Sequence, residues 1–99
     1  MALNLNYTSE IMYDVRSVLF NIKERGGAVP GSFLNAELNR LQGSRAADVL
    51  NIAMVAIGKK ECTQGQATPA QMEVLVARAQ KESADLVSEI AQLRAAKGK

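Results

Sequence analysis

Apolar residues recur three and four apart along most of this chain, with glycine and proline marking the breaks, so the pattern predicts helices and no strands. Ile11, Met12, Val15, Val18, Leu19 and Ile22 share one helical face. Thr8 or Asn6 offers a cap before them and Gly26-Gly27 a stop after them, which predicts a first helix over 9–25. Pro30 disfavours helical geometry at Val29, and Ser32 can then cap a short second helix over 33–42 carrying Phe33, Leu34, Leu38 and Leu41. Ser44 introduces a third helix over 45–58. Ala46, Val49, Leu50, Ala53, Met54 and Ile57 form one side of it, and Ile52, Val55 and Ala56 fill much of the other. Only Asp48 and Asn51 interrupt it. A helix that is apolar nearly all round belongs at the centre of its fold.

Thr68-Pro69-Ala70-Gln71 reads as a capping box with proline at the first helical position, and no Pro or Gly follows until Gly98. This predicts a fourth helix over 69–96, about 42 Å long at 1.5 Å per residue. Met72, Ala79, Leu86 and Leu93 repeat every seven, with Val76, Ser83 and Ile90 four after the first three, so one narrow stripe runs its length. Arg78 with Glu82 and Lys81 with Asp85 have the spacing of ion pairs along its outer face. The expected architecture is an all-α, bundle-like single domain of four helices with a long C-terminal helix. Residues 1–7 read as an arm, either flexible or lying on the core, and 97–99 as a tail.

At 99 residues the chain has room for one core, and with 47% apolar content but four aromatics that core must be aliphatic, which also favours helices. The net charge is +2, with the basic excess in the second half. Lys59, Lys60, Arg94 and Lys97 supply much of it, and several lie near helix C-termini, where cations offset the dipole. Cys62 is the only cysteine and histidine is absent, so no internal disulfide can form and the common transition-metal patterns are missing. A nucleophile would have no histidine base. No cofactor motif is present: neither glycine-bearing loop matches a dinucleotide or phosphate-binding fingerprint. The start of the chain lacks the basic residues and apolar run of a signal peptide, and no apolar stretch is long enough to span a bilayer. A cytoplasmic chain with no membrane partner is the expectation.

The carboxylate pairs Glu10/Asp14 and Asp85/Glu89 each share a helical face, but no histidine or second carboxylate motif joins them, so a solvated role is expected. Residues 33–57 have the lengths of a helix-turn-helix, yet the second helix offers only Arg45, Asp48 and Asn51 near its start. Tyr13 and Phe20, with Arg16 beside them, lie opposite the apolar face of helix one, and aromatics with arginine are the residues enriched at interface centres. The length of the fourth helix suggests that Leu86, Ile90 and Leu93 meet another copy or a partner, unless helix one covers them.

These readings converge on a non-enzymatic interaction or assembly protein, an adaptor or structural subunit of the kind found in bacterial or viral complexes, that self-associates through its C-terminal helix. Its contact residues would be Tyr13, Arg16, Phe20, Leu86, Ile90 and Leu93. One alternative is a small nucleic-acid-binding regulator using Arg45, Lys59, Lys60, Arg94 and Lys97, and another is a partner-directed chaperone or inhibitor.

Overall fold

A computed structural model describes residues 3–97, with side chains described as far as Ala96. After a short 3-10 turn at Leu5–Tyr7, the chain forms α1 (Thr8–Glu24), α2 (Gly31–Leu41), α3 (Ala46–Ala56), α4 (Pro69–Glu82) and α5 (Ala84–Lys97). The all-helical class holds, with no strand among the described residues, but the helix count does not. The segment read as one helix over 69–96 is two, separated at Ser83, whose backbone leaves helical geometry at φ −119° and ψ 32°.

Helix α3 is the axis of the fold, as its all-round apolar pattern requires. Leu50, Ile52 and Ala53 have no solvent exposure, and Val49 and Met54 have 1%. Helix α1 lays Ile11, Met12, Val15, Val18, Leu19 and Ile22 against this centre, every one of them buried, and it packs on α3, α4 and α5. Phe33 of α2 is buried on the same core. The capping box at the start of α4 is formed: Gln71 N donates to Thr68 Oγ1 at 3.2 Å, and Thr68 N donates to Gln71 Oε1 at 3.1 Å. Gln71 also ties down the N-terminal arm, accepting from Leu3 N at 3.1 Å and donating to Leu3 O at 2.8 Å. Leu3 is consequently in the core at 4% exposure, so the arm lies on the fold from residue 3 onward. Met1-Ala2 and the tail beyond Lys97 are outside the described residues.

The other expected caps are not made. α1 starts after Tyr7, α2 after Pro30 and α3 after Arg45, none with a side-chain cap bond. Ser32 falls inside α2 instead of ahead of it. At the far end of α1, Gly27 adopts φ +94°, and a Cβ there would meet Arg94 Cγ at 3.0 Å and Leu93 Cβ at 3.5 Å. Glycine therefore both turns the chain and lets α5 approach the end of α1.

Candidate interaction surface

The break at Ser83 decides what covers the C-terminal seam. Of the stripe read from the sequence, Met72, Ala79, Ser83, Leu86 and Ile90 are buried, with Ile90 at 0% and Leu86 at 5%, while Val76 and Leu93 are only half-buried and Leu75, at 1%, joins the inner face. It is buried within this one chain, because α5 packs directly on α1. The expectation that Leu86 and Ile90 face another copy is therefore corrected. The two segments of 14 residues, about 21 Å each, pack in turn, α4 on α3 and α1 and α5 on α1. Leu93 is half-buried and borders a shallow groove with Lys23, Glu89 and Gln92.

Two ion pairs fasten α5 to α1. Arg16 donates to both oxygens of Asp85, at 3.1 and 2.9 Å, and its Nη1 also lies 3.4 Å from Ser83 Oγ at the break. The bidentate bond from Arg16 is the main reason that the Asp85 carboxyl is held at about 2, below its ordinary 3.8. One helical turn or so further on, Lys23 lies 3.7 Å from Glu89. The expected Lys81–Asp85 pair is not formed, since Arg16 has the better bidentate geometry. Arg78 and Glu82 do pair along α4.

On the outer side of α1, Tyr13 is 75% exposed and Phe20 46%. Lys23 Nζ sits 4.8 Å from the centre of the Phe20 ring, which leaves one face of that ring partly covered. Beside Tyr13 a groove of about 490 Å³ runs between α1 and α4, lined by Ser9, Met12, Arg16, Arg78 and Glu82 among others. Tyr13, Arg16 and Phe20 thus stand at i, i+3 and i+7 on the exposed side of α1, with Arg16 already held by Asp85.

A separate polar clasp joins α2 to α1. Glu37 is 5% exposed and receives bonds from Arg40 at 2.8 and 3.0 Å and from Asn21 at 3.0 Å. Burial pushes its carboxyl up, but the bonds from Arg40 and Asn21 together with the Arg40 charge outweigh that and hold it below the ordinary value. This clasp escapes a sequence reading, because Glu37 looks like any other surface acid of a short amphipathic helix.

The groups read as base contacts are not displayed as a reading helix would need. Asp48 and Asn51 are 1% and 3% exposed, and α3 is buried along most of its surface, with only Ala47 and Val55 half-buried. Asp48 and Asn51 hold the α3–α4 loop instead. Asp48 Oδ1 accepts from Gln66 N at 2.7 Å and Ala67 N at 2.8 Å. Asn51 Oδ1 accepts from Cys62 N and Thr63 N, and its Nδ2 donates to Thr63 O at 3.0 Å. The signal for this was available: two polar residues on an otherwise apolar helix, followed by a polar loop with many free N–H groups. Among the described residues, the basic groups read as nucleic-acid contacts do not gather either. Arg45 is bound to Glu10 at 3.1 Å and stacks over Tyr7 at the start of α3. Lys59 and Lys60 are exposed beyond its other end, and Arg94 is half-buried near Gly27. The Lys97 side chain lies outside the described residues.

Three of the four carboxylates in the two pairs are taken up by separate cations, Glu10 by Arg45, Asp85 by Arg16 and Glu89 by Lys23, while Asp14 has no ion-pair partner among the described residues. Cys62 is exposed, but partial desolvation by its surroundings pushes the thiol above its ordinary value. No helix is long and apolar enough, among the described residues, to cross a membrane. Set against known proteins, the chain matches no family model, no curated protein and no solved structure.

Proposed function

We propose that this protein acts by binding another protein through the outer face of α1, as an adaptor or assembly component that catalyses no reaction. The observation that carries this reading is the placement of Tyr13 and Phe20. They are two large aromatic rings in register on the solvent side of a helix whose opposite side is completely buried. A scattered exposed apolar residue needs no explanation, but two aromatics seven apart beside a salt-bridged arginine match the composition of interface centres. The Arg16–Asp85 and Lys23–Glu89 pairs support it further, since side chains already fixed lose less freedom on docking. Self-association through the C-terminal seam forms no part of this reading, because Leu86 and Ile90 are occupied inside the chain. The cytoplasm is the proposed setting, where a single exposed cysteine stays reduced.

The test compares the native chain with a Tyr13→Ser/Phe20→Ser variant. Partners recovered from a native lysate with the first would be purified and titrated against both. A loss of at least about ten-fold in affinity, with the melting temperature unchanged, is expected if each ring is worth the roughly 1–2 kcal/mol or more of an interface anchor. Equal affinity for both proteins would overturn the assignment of this face.

A further inference from the structure

A second surface, on the other side of α4, is independent of the α1 face. Between α3 and α4 runs an apolar groove of about 560 Å³, floored by Val55, Met72 and Val76 and edged by Pro69 and Ala77. Val55 and Val76 are only half-buried, so this floor is core-like in chemistry but open to solvent. The outward side of α4 continues it: Val74 is 62% exposed, and Pro69, Ala70 and Ala77 are exposed around it. Small side chains on that edge let another backbone approach closely. One wall is held in shape by Gln80, whose Nε2 donates to Ala56 O at 3.2 Å across α3 and α4.

The charges at this groove differ from those elsewhere on the molecule. Glu10, Glu24, Glu37, Glu82, Asp85 and Glu89 each have a cationic partner, and Asp48 has two backbone donors. Among the described residues, three carboxylates have neither: Asp14, Glu61 and Glu73. Two of those three, Glu61 and Glu73, line this groove. An aliphatic floor between two uncompensated carboxylates is complementary to an apolar segment flanked by cations.

We infer that the α3–α4 groove receives an amphipathic helix of another protein, with aliphatic anchors on one face and lysine or arginine beside them. From Pro69 to Gln80 the α4 wall is about 16 Å long, or three helical turns, which accommodates anchors at i, i+3 or i+4, and i+7. The groove volume lies in the range of pockets that hold several such side chains. The net charge of +2 works against a basic ligand at long range, so a preference for one must arise locally at Glu61 and Glu73.

The experiment uses the full chain and two labelled synthetic helices of about 18 residues. Both carry leucine at the anchor positions, one with lysine on the flanks and its twin with glutamate. Fluorescence anisotropy should show the lysine helix binding at least ten-fold more tightly, and Glu61→Lys/Glu73→Lys should reverse that preference. The Tyr13→Ser/Phe20→Ser protein should bind the lysine helix as the native chain does, which separates this groove from the α1 face. The inference is overturned if the two helices bind equally, if neither binds, or if charge reversal leaves the preference in place. It is also overturned if light scattering finds a dimer that Val76→Asp dissociates with its helix content intact, since the occupant would then be a second copy.

Discussion

The loop between α3 and α4 is wound so tightly on Asp48 that one added methyl group should loosen it. A Cβ at Gly65 would stand 2.3 Å from Asp48 Oδ1, 3.0 Å from its Cγ and 3.2 Å from Asn51 Nδ2. The first distance is far inside van der Waals contact, and the carboxylate cannot step aside without leaving Gln66 N and Ala67 N, which it holds at 2.7 and 2.8 Å. Gly65 is not in the left-handed region, so Gly65→Ala meets a lack of space and no backbone penalty. Hydrogen bonds to a charged group contribute about 1.5–3 kcal/mol each, and the freed loop N–H groups can recover part of that from water. Gly65→Ala should therefore destabilise by about 2–4 kcal/mol, seen in urea as a midpoint lowered by roughly 1–3 M with the slope unchanged. Asp48→Ala should cost a similar amount for the same lost bonds. The decisive measurement is the double variant, because the clash needs the carboxylate. With Asp48 already truncated, Gly65→Ala should cost under about 1 kcal/mol, a coupling of about 2 kcal/mol between the sites. Additivity to within about 0.5 kcal/mol would show that the loop is not held by this contact.

Three further outcomes follow from the packing and the charges. Leu50→Ala should lower stability by about 2–5 kcal/mol in denaturant melts, the usual loss for a large-to-small change at a site with no solvent exposure, and a loss under about 0.5 kcal/mol would remove α3 from the centre of the fold. Replacing Leu86 and Ile90 together with Ser should unfold the chain or sharply lower its melting temperature, by circular dichroism, at any protein concentration, because both are covered intramolecularly; a folded variant would return them to the surface. The Asp85 carboxyl, held at about 2 against an ordinary 3.8, contributes stability fully above that ordinary value and loses it as pH falls through about 2. In an NMR titration Arg16→Gln should move the Asp85 midpoint back towards its ordinary range, and an unmoved midpoint would refute the pairing as its cause.

Helix positions and their inner faces were legible in the residue pattern, since burial at a period of 3.6 writes itself directly into where apolar side chains stand. The six buried positions of α1, the centrality of α3 and the capping box before α4 all rest on local spacing and local donors. What the pattern could not supply was the length over which each helix stays continuous. Nothing in 70–97 forbids helix, so the stretch reads as one rod; the break at Ser83 arises where the second half folds onto α1, with Arg16 reaching Ser83 and Asp85. A serine within an apolar stripe, followed two residues later by an acid, is the faint trace of that break, since serine suits helix starts and acids suit first turns. The destinations of the polar side chains were only partly within reach. Asp48 and Asn51 stand out as polar residues on an all-round apolar helix, but their loop partners do not, and Glu37 looks like a surface group until a neighbouring helix turns it into a buried anchor. Periodicity records which side of a helix is covered, but the identity of the cover, own chain or partner, depends on contacts between residues up to 69 positions apart.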